Sequence, residues 1–162
     1  MLNYTILLVV PVELGERGNI GKEEAKMANI ILASHGGLSK GMLDTVKMII
    51  GDMADGIETY SLFPGANADD FAGELKAKID ADTEEYILVC DVLGGSVCNA
   101  LVQLTVNERV TVLAGMNLPL VIELAVANRM GDIELETILQ TGRDGITKTT
   151  ILAAEEEEDS DF

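Results

Sequence analysis

The chain alternates short continuous apolar runs with longer stretches where apolar residues recur every three or four positions. The run ANIILAS (28–34) predicts a buried strand. Met42, Leu43, Val46, Ile49 and Ile50 follow at helical spacing and predict a helix over 40–50, closed by Gly51. IETYSLF (57–63) is β-branched and aromatic, and predicts a second strand ending at Pro64-Gly65. Asn67 or Asp69 can cap the next helix, in which Phe71, Leu75 and Ile79 recur every four residues. YILVC (86–90) predicts a fully apolar strand, and residues 97–106 a helix after a Gly-Gly-Ser turn. VTVLAG (110–115) predicts another strand. Asn117-Leu118-Pro119 then opens a helix over 119–128, with proline in the permitted first turn. That helix is apolar nearly all round, so it is expected in the interior or in an interface. A short helix at 134–140 and a last strand, ITKTTIL (146–152), complete the pattern.

Strands that are apolar throughout and alternate with helices predict an α/β fold. The expected architecture is a parallel sheet flanked by helices on both faces. Ligands in such folds bind beyond the carboxyl ends of the strands. Residues at strand ends therefore carry the most functional weight. The spacing leaves room for one domain, over residues 27–152, with an acidic disordered tail at 153–162.

Composition narrows the function. The 162 residues carry 11 Lys and Arg against 28 Asp and Glu, a net charge of −17. The excess is not confined to the tail, since 27–154 alone contributes −10. An acidic fold with 4% aromatics and no Trp lacks the basic face and the stacking platform of a nucleic-acid binder. No apolar run reaches the roughly 18 residues of a membrane span, and the start lacks a basic signal-peptide region, so a cytoplasmic protein is expected. Cys90 and Cys98 are too few for a disulfide scaffold and read as small buried apolar residues.

Residues 1–26 do not fit the alternation. One account is a real N-terminal strand plus a linker, GERGNIGKEEAKM. The other is an upstream start codon. Lys22-Glu23-Glu24-Ala25-Lys26 before Met27 can be encoded by an AAG-GAG-GAG-type purine run, which is what a translated bacterial ribosome-binding site looks like.

Four strand ends carry candidate chemistry. His35, the one histidine in the chain, follows the first core strand within Ser34-His35-Gly36-Gly37. An imidazole can serve as base, ligand or nucleophile. Asp91 ends the strand 86–90, and Gly94-Gly95-Ser96 then leads into a helix. Free N–H groups with a hydroxyl beside them form an anion cradle. A carboxylate on one ring nitrogen would fix the tautomer and leave the other nitrogen as nucleophile. Pro64-Gly65 and Asn117 lie in two further loops of the same edge, where simple turn formation and helix capping also account for them. One histidine and two separated cysteines make a poor zinc set, so no metal is expected. A Walker A loop and GxGxxG are absent, and no cofactor is expected.

The segments ANIILASHGGLSKGMLDTVKMIIG, SLFPGANADD, LVCDVLGGSVCNALVQL and VLAGMNLPLVIEL, in that order, resemble the IIA component of the mannose/fructose/sorbose-type bacterial phosphotransferase system (PTS). The resemblance covers about residues 27–152, and Met27 as its first residue supports the upstream-start account. It implies a phosphocarrier that accepts a phosphoryl group from HPr on His35 and passes it to a IIB subunit. The IIC and IID membrane subunits would be served indirectly. By the same resemblance His35 is phosphorylated on Nε2 and Asp91 holds the other nitrogen. Gly94, Gly95 and Ser96 receive the phosphoryl oxygens, with Ser34, Gly36, Pro64 and Asn117 as further loop contacts. A homodimer that exchanges the 146–152 strand is also implied.

The sequence departs from the family pattern at Val97, where proline is usual after GGS, and in its acidic tail. A second histidine for a fused IIB domain is missing, so IIB is expected as a separate protein. Two alternatives remain at this point. One is the phosphoryl-donor subunit of a dihydroxyacetone kinase; the other is a regulatory module whose phosphorylation state is sensed.

Overall fold

The computed structural model describes residues 27–149. Four parallel strands form one sheet: β1 (Asn29–His35), β2 (Glu58–Leu62), β3 (Tyr86–Cys90) and β4 (Val110–Ala114). Their order is β2-β1-β3-β4. Helix α1 (Leu38–Ile50) joins β1 to β2, and α2 (Ala68–Ala81) joins β2 to β3. Helix α3 (Ser96–Val102) leads through a 3-10 turn, Gln103–Val106, to β4. Helices α4 (Leu118–Met130) and α5 (Leu135–Asp144) follow.

Successive side chains point to opposite faces of a strand, and here both faces are apolar. Ile30, Leu32, Ile87 and Val89 pack with Val46 of α1, Leu124 of α4 and Ile138 of α5. Ile31, Ala33, Leu88 and Cys90 pack with Leu75 and Ile79 of α2 and Leu101 of α3. The expected parallel sheet with helices on both faces is what the chain adopts. The all-round apolar character of α4 has its cause here, because α4 is covered by the sheet on one side and by α5 on another.

Local chemistry sets the helix ends. The Asn67 side chain accepts from the Asp69 N–H and starts α2, and Asp69 and Asp70 in its first turn complement the helix dipole. The helix expected over 97–106 tightens to 3-10 after Val102. There the Thr105 hydroxyl donates to the Val102 carbonyl at 2.8 Å, competing with the regular helical bond. The strand expected at 146–152 is not formed at 146–149, and its remaining residues lie outside the described part. A strand needs a neighbouring edge to pair with, and Ile146 is 80% exposed. The N-terminal extension (1–26) and the acidic tail (153–162) also lie outside the described residues.

The topology creates a gap. From β1 the chain steps to β2 on one side; from β2 it crosses to β3 and then β4 on the other. Helix α1 therefore leaves β1 over one face, and α3 leaves β3 over the opposite face. Between the carboxyl ends of β1 and β3 no helix among the described residues closes the sheet edge, and this switch point is where α/β sheets bind ligands.

The core should respond as a tightly packed one. Leu88 is fully buried at the centre of β3. Leu88→Ala is expected to cost about 2–5 kcal/mol. Urea unfolding should show a lowered midpoint with an unchanged slope.

Candidate functional site

His35 is the last residue of β1, and Asp91 follows the last residue of β3. Parallel pairing in the register Ala33↔Cys90 brings the two ends side by side. Asp91 Oδ2 accepts from the His35 backbone N–H at 2.8 Å and lies 2.8 Å from His35 Nδ1. Asp91 Oδ1 accepts from the Val92 N–H at 2.9 Å. On the far side of the ring, Nε2 is 3.0 Å from the Ser96 hydroxyl at the start of α3. The His35 side chain is 44% exposed and that of Asp91 only 11%, so the ring faces solvent while its anchor is covered.

The partners decide the tautomer. Burial pushes the Asp91 carboxyl up, but hydrogen bonds from the His35 N–H, the His35 ring and the Val92 N–H outweigh it. The carboxyl is held below its ordinary value. It is therefore an acceptor near neutral pH, and in the neutral imidazole Nδ1 must carry the proton. Nε2 then keeps its lone pair, and the Ser96 hydroxyl donates to it. A nitrogen lone pair at the surface, backed by a fixed carboxylate, can act as a nucleophile.

The Gly-Gly-Ser turn fits this ring closely. A Cβ on Gly95 would lie 3.0 Å from His35 Cε1 and 2.8 Å from Val92 Cγ1, so only glycine lets the backbone pack against the imidazole. Gly94 has φ +77°, the left-handed region. The sequence reading did not single out Asn99, whose side-chain amide donates to the Gly94 carbonyl at 3.0 Å. Its only signal was a poor helix former placed inside α3.

The other strand-end residues are engaged elsewhere. Ser34 is fully buried and its Oγ accepts from the Ser39 N–H at 2.7 Å, tying the start of α1 to β1. The Gly36 N–H donates to Leu62 O at 2.8 Å, holding the β1 and β2 ends together. Asn117 caps α4 by accepting from the Leu120 N–H, and its amide donates to the Gly142 carbonyl at 3.1 Å. Pro64 is exposed in the turn after β2. Val97 is buried among the α2 and α3 side chains, so the residue that replaces the usual proline serves as core. Cys90 and Cys98 are buried free thiols, and burial pushes Cys90 well above its usual range. Among the described residues no helix is long and apolar enough to cross a membrane.

A strand-end histidine held by a carboxylate thus lies at the switch point of an α/β fold whose described residues form a four-stranded parallel sheet. The chain belongs to the mannose/sorbose-type PTS IIA family: the model described as "PTS system fructose IIA component" matches residues 29–138. It is 35% identical to the sorbose-specific EIIA component of Klebsiella pneumoniae over 100 residues, 60% of this chain and 73% of that protein. It is 29% identical over 124 residues to the mannose-specific EIIAB component of Escherichia coli (strain K12), covering 72% of this chain and 38% of that protein. The chain thus spans well under half of that relative's length. Among solved structures, the mannose/sorbose-specific IIA subunit of Enterococcus faecalis superposes with a TM-score of 0.67 at 24% identity. That match covers 80% of this chain and 99% of that subunit, and it shows the shared fold.

The lowered Asp91 value has a pH consequence. A depressed carboxyl stabilises the fold above its unfolded pKa, near 4, and this contribution is lost as pH falls through the folded value. Asp91→Asn should be less stable than the wild type at pH 6–7, with the gap closing as pH is taken below about 4. Thermal midpoints across that range test this; a gap that is independent of pH would contradict it.

Proposed function

We propose that the protein is a cytoplasmic phosphocarrier of a sugar phosphotransferase system. In this reading His35 Nε2 accepts a phosphoryl group from the phosphohistidine of HPr and passes it to a histidine on a separate IIB subunit. The observation that carries the reading is the ring geometry, with Nδ1 2.8 Å from Asp91 Oδ2 and Nε2 3.0 Å from the Ser96 hydroxyl. In the transfer, the N–P bond to Nε2 forms as the donor's N–P bond breaks, in line, with no proton moved. Nδ1 keeps its hydrogen throughout. The phosphorylated ring then carries positive charge, which the Asp91 carboxylate offsets. The Ser96 hydroxyl can rotate from donating to Nε2 to donating to a phosphoryl oxygen, joined by the backbone of the Gly94–Ser96 turn. Positioning and charge stabilisation of this kind are the main demands of phosphoryl transfer.

The surroundings suit protein donors and acceptors. Leu38, Phe63, Val92 and Leu93, all near the carboxyl end of the sheet, are exposed by 48–61%. Apolar side chains exposed around a reactive group favour docking by another protein. The outer edge of β4 has no strand beside it among the described residues. Residues 146–152 of a second copy would supply one in a strand-exchanged homodimer.

The experiment is reconstitution with phosphoenolpyruvate, Enzyme I and HPr, read by intact mass. The wild type should gain one acid-labile phosphoryl group and His35→Ala none. Labelling that survives His35→Ala, or an unlabelled wild type, would overturn the reading. Ser96→Ala should still be labelled but about 100- to 1,000-fold more slowly, the effect of removing one donor to developing charge.

A further inference from the structure

We propose that Asn99 is a positioning residue for His35, acting through the Gly94–Gly95 peptide; the proposal rests on the phosphocarrier reading above. Asn99 lies one turn into α3 and holds both carbonyls that precede Ser96. Its backbone N–H donates to the Gly95 carbonyl at 2.9 Å, and its side-chain amide reaches back to the Gly94 carbonyl at 3.0 Å. The acceptor is a carbonyl, so the amide nitrogen, not the oxygen, must face it. The other tie on this peptide is weaker: the Gly95 N–H meets the Val92 carbonyl at 3.3 Å, long for such a bond. Gly94, at φ +77°, has no side chain to restrict its alternatives. Without the amide, the peptide plane between two consecutive glycines is held by one poor hydrogen bond.

That plane sets two contacts of the imidazole. The Gly95 backbone packs against His35 at Cε1, and Ser96, the next residue, places its Oγ 3.0 Å from Nε2. Asp91 fixes one side of the ring, and the Asn99-clamped turn fixes the other. A purely structural account fits less well. Asn99 is exposed, so its side chain adds nothing to the core. Asparagine is also a poor residue for a helix interior, where alanine would favour α3. A residue that weakens its own helix while restraining the loop beside a nucleophile is the pattern of a functional site.

Asn99→Ala removes the donor without adding charge, and Asn99→Asp removes it at nearly constant volume while adding charge. Both should keep a thermal midpoint near that of the wild type. Single-turnover phosphorylation of His35 at saturating phospho-HPr should slow about 10- to 100-fold in both, the scale of a small misplacement of reacting groups. The HPr concentration for half-maximal rate should not change. The Gly95 and Ser96 amide signals and the His35 ring signals should shift in both variants. Wild-type rates in Asn99→Ala, or slowing confined to Asn99→Asp, would overturn the proposal, the second outcome assigning the effect to charge. An unlabelled wild type would instead refute the phosphocarrier reading. The His35 ring signal in Asn99→Ala would then still decide whether Asn99 positions the ring, since an unshifted ring overturns the proposal.

Discussion

The site depends on one carboxylate. Asp91 accepts three hydrogen bonds, two of them from His35, backbone and ring. Those bonds overcome the penalty of covering a charge and keep the group ionised. An ionised Asp91 commits the proton of the neutral ring to Nδ1, and that leaves the lone pair on Nε2, the atom proposed to accept the phosphoryl group. The reach of Nε2 toward Ser96, and the charge balance in the proposed transfer, follow from this bond.

The fold exists around that bond in a particular way. Two strands that are neighbours in space but far apart in sequence must end together, and the register Ala33↔Cys90 ensures it. Their connections must then diverge, or the ring would be covered. The reversal of strand order at β1 and β3 supplies that divergence, sending α1 and α3 to opposite faces. Two apolar layers hold the sheet rigid beneath. In the proposed role, a group that meets first one protein and then another would benefit from such a mounting, exposed at its tip and immobile at its base.

Much of this was legible in the sequence because the signals were local and strong. Apolar runs such as YILVC have little choice but to be buried strands, and β3 matches that run residue for residue. His35, Asp91 and Ser96 stood out because each sits where a strand ends or a helix begins. The roles of Ser34 and Asn117 were harder to read. A polar residue at a strand end can face the loop or the interior, and only packing decides. Ser34 turns inward to cap α1, and Asn117 is engaged in capping α4 and holding α5. Asn99 was illegible for a different reason, since its reach back to Gly94 depends on glycine conformations that no side-chain pattern encodes. The strand expected at 146–152 is not formed at 146–149; a strand is a property of a pair, and in the proposed homodimer its partner edge would belong to a second copy.

The central claim is that Nε2 of His35, opposite an Asp91-bound Nδ1–H, is the phosphoryl acceptor. Two-bond proton–nitrogen NMR correlations of the single histidine, before and after phosphorylation, test it directly. The account predicts a protonated Nδ1 in the unmodified neutral ring and the phosphorus attached to Nε2 afterwards. Phosphorus on Nδ1, or a neutral ring protonated at Nε2 and left unmodified by phospho-HPr, would contradict it.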